Sequence, residues 1–209
     1  MSESNKNKIT VGLVNLNINN LFSIYHFLIN QNFNVSIINI NEKIKNFDVL
    51  VLPGVGSFKA AIHILKKKNF DEKIIEYYLK KKFIFAICLG MQLLFEKSEE
   101  FGNTKGLGIV KGQVLKFPKK SNLLIPHVGW NKVINCNKKF NFLNEKSFYF
   151  IHSFYCKPKN KDIILSNTIY KNNKFCSSIF TNNILATQFH PEKSGKSGIQ
   201  LVQKLKKII

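Results

Sequence analysis

Residues 83–95 have the sequence FIFAICLGMQLLF, in which one apolar run leads into Cys88 and a second apolar run follows it. The residues before Cys88 are typical of a buried strand, and those after it are typical of a helix. At a sharp corner between a strand and a helix, a side chain stands clear of the sheet, and the first N–H groups of the helix stabilise negative charge beside it. The stretch therefore predicts a layered α/β fold with Cys88 as a candidate nucleophile. The alternative is that Cys88 is a small buried apolar residue.

A candidate base and a candidate carboxylate occur at residues 188–192, Gln-Phe-His-Pro-Glu, which follow another apolar run. Thiol chemistry needs an imidazole that moves the proton and an acceptor that orients the imidazole. Because Pro191 stiffens the turn, His190 and Glu192 can face the same way where the strand ends. These residues predict a catalytic site made of Cys88, His190 and Glu192. The alternative is a His-Pro turn followed by a solvated glutamate.

A glycine-rich segment, Leu-Pro-Gly-Val-Gly-Ser at residues 52–57, also follows a predicted strand. Its glycines allow the backbone to approach a ligand closely. The segment lacks the Gly-Lys-Ser/Thr end of a P-loop, and the first strand-to-helix turn has no Gly-x-Gly-x-x-Gly pattern, so nucleotide binding is poorly supported. The segment is a candidate for supplying a backbone N–H to an oxyanion near Cys88. The alternative is an ordinary glycine-rich turn.

Strand and helix patterns alternate at short spacing in the first half of the chain, which predicts a mostly parallel central sheet flanked by helices. From about Gly106 the pattern changes to β-rich segments, which predict an antiparallel or mixed β extension in the second half. We expect one domain over residues 1–209, with the candidate catalytic residues at the carboxyl edge of the sheet. The predicted strands are 9–16, 35–40, 47–52, 83–87, 108–117, 123–134, 148–156, 163–170, 175–180 and 184–188. The predicted helices are 20–30, one capped by Ser57, 71–81, 89–95 and 198–209.

The composition favours an intracellular protein whose cysteines are in a reducing environment. The chain has 209 residues, enough for a substantial core, and its four cysteines are far apart with no Cys-x-x-Cys pair. Neither a metal site nor a disulfide framework is therefore expected, and no motif calls for a cofactor. The polar N-terminus and the absence of an 18-residue apolar run predict a soluble, cytoplasmic protein without membrane contact.

The formal net charge of +20 raises the question of nucleic-acid binding, because a basic surface is typical of proteins that bind phosphate backbones. The lysines are spread along the chain, with short runs only at 66–68, 80–82 and 119–120. These runs do not alternate with aromatic residues as a base-stacking surface would. The joint excess of Lys, Asn, Ile and Phe is typical of an A+T-rich genome, so we assign the charge to solvated faces and predict no nucleic-acid partner.

Taken together, the motifs resemble the class I, triad-type glutamine amidotransferases. Residues 86–92, Ala-Ile-Cys-Leu-Gly-Met-Gln, are similar to the nucleophile motif of that family, and residues 188–192 are similar to its His-Glu motif. The resemblance runs nearly end to end. Four further blocks are similar to the family of glutaminase subunits of imidazole glycerol phosphate synthases. These blocks are Pro-Gly-Val-Gly-Ser-Phe at 53–58, Pro-His-Val-Gly-Trp-Asn at 126–131, Tyr-Phe-Ile-His-Ser at 149–153 and His-Pro-Glu-Lys-Ser-Gly at 190–195.

The resemblance implies a role for each site residue. Cys88 would attack the glutamine carboxamide, His190 would protonate the departing ammonia and then activate water, and Glu192 would orient His190. The oxyanion would lie between the N–H of Leu89 and one from residues 54–56, a strand that reorients when the partner subunit is loaded with its ligand. The residues implied in substrate binding are Gly54, Val55, Gly56, Leu89, Gln92, Ser153 and Phe154.

The resemblance also implies a partner. It would be a synthase (cyclase) subunit with a (β/α)8 barrel, which forms a heterodimer with this chain. The partner would join the ammonia to a phosphoribosyl ribonucleotide intermediate, giving imidazole glycerol phosphate and AICAR in histidine biosynthesis. Trp130, Tyr149 and Lys193 match the interface positions of the family. For Trp130 and Tyr149 the alternative is ordinary packing within a sheet.

One residue departs from the family pattern, and three other functions stay open. The family usually has Gly two residues before the nucleophile, where this chain has Ala86. A paralogue that supplies ammonia to a sugar amidotransferase for surface glycans would use the same chemistry with another partner. A catalytically silent binding module would be expected to lose a triad residue, and none is lost. A cysteine peptidase on the same scaffold would use Cys88 and His190 but has no need of Gln92.

Overall fold

The computed structural model describes residues 8–17, 21–44, 46–118 and 123–209. In the first half the strands are β1 Thr10–Asn15, β2 Asn34–Asn39, β3 Val49–Leu52, β4 Phe83–Ile87, β5 Phe95–Ser98 and β6 Thr104–Lys105. In the second half they are β7 Val110–Lys116, β8 His127–Lys132, β9 Ile134–Asn135, β10 Ser147–His152, β11 Phe154–Pro158, β12 Ile164–Tyr170, β13 Asn173–Phe180 and β14 Ile184–Thr187. The helices are α1 Leu21–Asn30, α2 Phe58–Lys67, α3 Phe70–Leu79, α4 Leu89–Leu93 and α5 Gly195–Lys206, with 3₁₀ segments at Lys138–Leu143 and Pro191–Lys193.

The main sheet combines a parallel half with a largely antiparallel half. Strands β2, β1, β3, β4 and β14 lie side by side in that order and are all parallel. Beyond β14 the order continues β13, β11, β7, β5 and β6, in which only the β7–β5 pair is parallel. Strands β8 and β10 form a separate antiparallel sheet. This arrangement confirms the predicted α/β fold with a mixed β extension.

Helices cover both faces of the parallel half, which explains why its strands are apolar throughout. Every residue of β3, β4 and β14 is buried, as expected for strands with helices on both sides. On one face, Ile84 and Ile184 pack with apolar residues of α2 and α3. On the other face, Phe85 and Leu185 pack with apolar residues of α1 and α5. The sheet centre is therefore rigid where β4 and β14 end, and the candidate site lies at those ends.

The corner between β4 and α4 has the strained backbone expected of a nucleophile elbow. Cys88 has φ 54° and ψ −110°, an unusual conformation for a residue with a side chain. Its N–H donates to the carbonyl of Thr187 on β14 over 2.7 Å, which fixes the corner against the neighbouring strand. A Cβ at Gly90 would lie 1.8 Å from the carbonyl oxygen of Leu52. Glycine at position 90 is thus what allows α4 to start so close to β3.

Ala86 fits this corner without strain. It is fully buried and lies in register with Leu52 on one side and with Ala186 on the other. Its φ is negative, as β geometry requires. Because Ala186 is itself small, the methyl group of Ala86 is accommodated within the sheet. The departure from the usual glycine therefore leaves the elbow intact.

Three predicted elements were wrong in their extent. The predicted strand 123–134 contains β8, which pairs with β10 in the separate sheet, and the start of β9, which pairs with β12 in the main sheet. The predicted strand 148–156 is two strands, because β10 pairs with β8 while β11 enters the main sheet, and Ser153 separates them. The predicted helix 89–95 ends at Leu93, and Phe95 begins β5. These stretches are mostly apolar with isolated polar residues, and such a pattern neither distinguishes a buried helix from a buried strand nor reveals where a chain changes sheets.

Some of the sequence predictions fall on residues outside the described ranges. These are the polar N-terminal residues 1–7, the start of the first helix at Asn20 and the lysines at 119–120. Within the described ranges, no helix combines the length and the hydropathy needed to cross a bilayer. The same ranges contain no group of three or more His, Cys, Asp or Glu residues arranged to hold a metal ion.

Candidate active site

The structure brings Cys88, His190 and Glu192 together. Strands β4 and β14 are parallel neighbours, and Ile87 lies in register with Thr187, so both strands end at the same edge of the sheet. Cys88 follows the first strand and His190 follows the second. The Nδ1 atom of His190 lies 2.7 Å from the Oε1 atom of Glu192, with both side chains buried. The carboxylate accepts the Nδ1 hydrogen and therefore turns the other ring nitrogen, Nε2, to face away from it.

The electrostatics around His190 favour a charged imidazole. Burial opposes the charge on His190, but the nearby Cys88 sulfur and the Glu192 carboxylate outweigh it and raise the pKa of His190 to about 10. The Nε2 atom has no hydrogen-bond partner among the described residues. It is thus available to a proton shared with Cys88 or with a reacting group. An imidazolium beside the sulfur stabilises the thiolate, which is the nucleophilic form of cysteine.

A cavity of about 230 Å³ opens beside Cys88. Its walls are Val55, Gly56, Cys88, Leu89, Gln92, Glu100, Pro126, Ile151, His152, Ser153 and Phe154. All of the residues predicted to bind substrate are in this wall except Gly54. That glycine lies behind the wall, where a Cβ would come within 2.9 Å of the Leu89 side chain.

The backbone of the glycine-rich segment blocks one of the two predicted oxyanion donors. The N–H of Leu89 donates to the carbonyl oxygen of Gly54 over 3.3 Å. An oxyanion site needs N–H groups aimed at the developing charge, whereas a carbonyl oxygen repels it. The peptide between Gly54 and Val55 must therefore rotate before the Leu89 N–H can serve an oxyanion. Gly56, with φ 94° and open space around its Cα, supplies the local freedom for that movement.

The side-chain amide of Gln92 is held in one orientation. Its Nε2 atom donates to the carbonyl of Phe154 and to the Oε1 atom of Gln188, each over 3.1 Å. These two bonds use both hydrogens of the amide, which leaves the Oε1 atom as an acceptor. Because Gln92 forms part of the cavity wall, this acceptor is suited to an N–H group of a ligand.

Sequence reasoning gave no role to three polar residues of the site, Gln188, Glu100 and His152. Gln188 is fully buried, and its Nε2 atom lies 3.7 Å from the Cys88 sulfur. It stands at the start of the His-Glu motif, so its position was a usable signal. Glu100 is in the cavity wall, where burial raises the pKa of its carboxyl group against the opposing effect of the Phe58 N–H, which it accepts over 2.5 Å. Nothing in the pattern around Glu100 marks it as a site residue.

A pair of buried histidines lies at the cavity wall, and of the two only His152 lines the cavity. The Nδ1 atom of His127 lies 3.1 Å from the Nε2 atom of His152, and the Nδ1 atom of His152 lies 2.8 Å from the carbonyl oxygen of Phe154. Burial lowers the pKa of His127 to about 4. Burial, assisted by the charges of His127 and His190 against the Phe154 hydrogen bond, lowers the pKa of His152 to about 3. Both rings are therefore neutral at neutral pH.

This histidine pair predicts a loss of stability in mild acid. In the unfolded chain each histidine takes up a proton below a pKa of about 6.5, whereas in the folded chain His127 and His152 stay neutral until the pH is far lower. Because the unfolded state then binds more protons, lowering the pH from about 7 to about 4.5 should reduce the free energy of unfolding by about 5 kcal/mol from this pair. Urea unfolding at the two pH values measures the loss. A His127→Asn/His152→Asn double variant should lose less over the same step, and an equal loss would contradict the prediction.

The three predicted interface residues lie in one surface patch, which we call the Trp130 patch: Trp130, Tyr149 and Lys193. Trp130 is 59% exposed, so packing inside a sheet does not account for it. Its ring meets the Tyr149 ring edge-on with centroids 6.2 Å apart, and the Nζ atom of Lys193 lies 5.8 Å from the centre of the Tyr149 ring. Tyr149 is also tied to the triad, because its carbonyl accepts the N–H of His190 over 2.9 Å.

The chain matches a known protein family over most of its length. The family model for "Glutamine amidotransferase class-I" matches residues 13–206. A Prochlorococcus marinus protein named imidazole glycerol phosphate synthase subunit HisH is 40% identical over 198 residues, covering 93% of this chain and 96% of the relative. The HisH protein of Chlorobaculum tepidum is 42% identical over 165 residues, covering 78% of this chain and 82% of the relative.

The chain belongs to the class-I glutamine amidotransferases and, within them, to the HisH family. This amidotransferase also has the fold of solved relatives. The structure described as PurLQS from Thermotoga maritima matches it with a TM-score of 0.75 at 17% identity, over 96% of this chain and 98% of that one. At this identity the likeness shows the fold alone. The family membership makes the chain an enzyme with glutamine amidotransferase activity. The three candidate catalytic residues lie together in the structure, where the ends of β4 and β14 meet.

Proposed function

We propose that this amidotransferase hydrolyses glutamine to glutamate and ammonia with the triad Cys88, His190 and Glu192, as a single domain over residues 1–209. The ammonia passes to a synthase (cyclase) subunit with a (β/α)8 barrel, which uses it to form imidazole glycerol phosphate and AICAR in histidine biosynthesis. The two subunits act as a cytoplasmic heterodimer. The observation that carries the proposal is the buried His190–Glu192 pair beside Cys88, at a cavity large enough for one amino acid.

The first half of the reaction is acyl transfer to the enzyme. The Cys88 thiolate attacks the side-chain carbonyl carbon of glutamine, the C–S bond forms, and the carbonyl electron pair moves onto the oxygen. As the pair returns, the C–N bond breaks, and His190 gives its Nε2 proton to the departing ammonia. The enzyme is left with a thioester and a neutral imidazole. Glu192 keeps the ring oriented by accepting the Nδ1 hydrogen in both charge states.

The second half is hydrolysis of the thioester. The neutral Nε2 atom of His190 removes a proton from water, the hydroxide attacks the thioester carbon, and the C–S bond breaks. Glutamate leaves, and the proton held by His190 again faces the Cys88 thiolate. Because His190 and Glu192 are both buried, the charges of the triad interact strongly, and the imidazole moves little between the steps.

The cavity wall supplies groups that complement the amino-acid end of glutamine. The free Oε1 acceptor of Gln92 and the carboxylate of Glu100 suit the α-ammonium group of the substrate. The backbone of Ser153 and Phe154 lines the same cavity and offers further polar groups. A carboxylate whose pKa is raised by burial, as at Glu100, gains from a cationic partner.

The blocked oxyanion donor supports conditional activity. While the Gly54 carbonyl accepts the Leu89 N–H, the charge on the tetrahedral intermediate lacks that stabilisation. Trp130 and Tyr149 lie on β8 and β10, and Tyr149 pairs with His190. Val55 is 40% exposed, so in the proposed complex the partner contacts both the Trp130 patch and the glycine-rich segment. Conditional hydrolysis would prevent the loss of ammonia to water.

The proposal predicts strong activation by the partner. Glutamate release by the purified chain should be slow and should rise about 100-fold or more with the histidine-pathway synthase subunit carrying its ribonucleotide ligand, because one oxyanion donor is worth about that factor. The measurement is glutamate release from glutamine for the chain alone, with the empty partner and with the loaded partner. Glutamate release that does not respond to the loaded partner would indicate that the ammonia acceptor is the sugar amidotransferase of a glycan pathway. No glutamate release under any of the three conditions would contradict the assignment of the catalytic triad.

A further inference from the structure

A chain of hydrogen bonds runs from the two-stranded β8–β10 sheet to the wall of the cavity. Asn131 on β8 approaches His127, with its Nδ2 atom 3.5 Å from the Nε2 atom of the ring. His127 then reaches His152 on β10 over 3.1 Å, and His152 reaches the carbonyl of Phe154 over 2.8 Å. The same carbonyl accepts the Gln92 amide over 3.1 Å. The chain of bonds therefore ends at a group that fixes a residue of the cavity wall.

The donor and the acceptor of each bond in this chain follow from the Phe154 carbonyl at its end. A carbonyl oxygen only accepts, so the Nδ1 atom of His152 carries the hydrogen and its Nε2 atom is an acceptor. The Nδ1 atom of His127 must then be a donor, which leaves its Nε2 atom to accept from Asn131. Both rings are neutral, and each has one tautomer. A third bond, from Asn131 to the carbonyl of Ile169 over 3.0 Å, ties the outer end to β12.

This arrangement holds the backbone where the chain changes sheets. His152 is the last residue of β10 and Phe154 is the first residue of β11, so the His152 ring spans the break between the two sheets. The intervening Ser153 lies in the cavity wall. Without the ring, the Phe154 carbonyl would lose one of its two side-chain donors, and the Gln92 amide would no longer have a fixed acceptor. His127 does not line the cavity, but it alone among the described residues donates to the inner ring nitrogen of His152.

We propose that His127 and His152 are positioning residues that hold the Phe154 carbonyl, and through it Gln92, in the geometry that binds the amino-acid end of glutamine. This inference rests on the proposed function, because it concerns the substrate of the same site. The two histidines act on substrate affinity and leave the nucleophile unchanged, since neither forms a hydrogen bond with Cys88 or Glu192 among the described residues.

His127 could act by hydrogen bonding or only by packing, and two substitutions of the same shape distinguish these roles. The His127 ring stacks against Tyr170 with centroids 4.0 Å apart and against Phe150 with centroids 5.0 Å apart. His127→Asn keeps an N–H at the position of Nδ1, whereas His127→Leu has the same shape without the donor. A role in packing makes both variants equally impaired. A role in positioning makes only the leucine variant defective.

The test uses the full chain with its partner synthase subunit and two electrophiles. A glutamine-shaped chloroketone labels Cys88 only after binding in the cavity, whereas iodoacetamide needs no such binding. His127→Leu should raise the half-saturating chloroketone concentration and the KM for glutamine by about five-fold or more, because a buried acceptor is left unpaired. The iodoacetamide rate and kcat should stay within about two-fold, since Cys88 is untouched. His127→Asn and the exposed control His63→Asn should match the wild type.

The outcomes separate this inference from the proposed function. A wild-type protein that iodoacetamide labels but the chloroketone does not would overturn both. If the chloroketone labels the wild type and the His127→Leu variant binds it equally well, only the positioning role is overturned. Equal defects in the leucine and asparagine variants would have the same meaning. If His127→Leu does not fold, His127→Phe keeps the ring stacking and removes the donor, and it should show the same rise in KM.

Discussion

Replacing Cys88 with alanine should lower glutamine hydrolysis by about 10⁴-fold or more, since removal of a catalytic nucleophile leaves only the contribution of binding and electrostatics. The substitution deletes one sulfur atom from a side chain that is 6% exposed and keeps the Cβ that the elbow already accommodates. The fold should therefore survive while the chemistry is lost. The measurement is glutamate release in the presence of the ligand-loaded partner, together with a thermal melt of the variant.

A second buried cysteine supplies the matched control. Cys156 is also buried, and burial, with the charges of Cys176 and Cys88, raises the pKa of its thiol well above the ordinary value, so it stays protonated and inert. Cys156→Ala should therefore keep its activity even if its melting temperature falls. Alkylation followed by mass spectrometry should find Cys88 modified before Cys156. Normal turnover by Cys88→Ala would remove Cys88 from the nucleophile role.

The elbow was predictable because local sequence and fold agree there. The predicted strand 83–87 matches β4 at both ends, and the cap assigned to Ser57 is present, with its hydroxyl accepting the N–H of Ala60 over 3.3 Å. A run of five buried residues followed by a cysteine and a glycine leaves few alternatives, since Gly90 is needed where α4 passes Leu52. The candidate triad followed because β4 and β14, each predicted as a strand, became parallel neighbours.

The remaining features depend on backbone orientation and on the positions of distant polar side chains, which a residue pattern does not encode. Whether the peptide at Gly54 presents its N–H or its carbonyl to the oxyanion depends on a rotation that both glycines of the segment permit. Glu100 enters the cavity from the loop after β5, and its neighbours in sequence carry no periodic signal. The tautomers of His127 and His152 follow only from a network that spans three strands.

The β8–β10 sheet connects the Trp130 patch to the candidate triad through hydrogen bonds. This sheet is separate from the main sheet, yet the Tyr149 carbonyl accepts the His190 N–H, and the Tyr149 N–H donates to the Ser194 hydroxyl over 3.0 Å. That hydroxyl in turn donates to the carbonyl of His190 over 2.5 Å. Two successive bonds therefore fix the His190 backbone to the strand that carries Tyr149. A partner that presses on the Trp130 patch would act on the triad through these bonds.

Replacing His190 with alanine should lower kcat by about 10³-fold or more, because the thiolate loses its counter-charge and the leaving ammonia loses its proton donor. Cys88 and His190 act as a unit, so the Cys88→Ala/His190→Ala double variant should be no slower than Cys88→Ala alone. Glutamate release by the three variants under identical partner conditions measures this. A double variant slower by the product of the two single effects would show that His190 acts independently of Cys88.

Glu192→Gln tests the carboxylate separately from the imidazole it orients. The amide oxygen of glutamine can still accept the Nδ1 hydrogen, but the negative charge is gone, so the pKa of His190 should fall below its value of about 10. Because less of the imidazole is then protonated, the thiolate is less stabilised. We therefore expect kcat to fall by about 100-fold, a smaller loss than in the His190→Ala variant. An NMR titration of the ¹⁵N-labelled imidazole reports the pKa, and glutamate release reports kcat. Both quantities depend on the charge of the Glu192 carboxylate. A lowered pKa with a proportionate loss of kcat would show that Glu192 supports the Cys88–His190 pair electrostatically. An unchanged pKa with a full loss of activity would show that Glu192 acts only by orienting the imidazole.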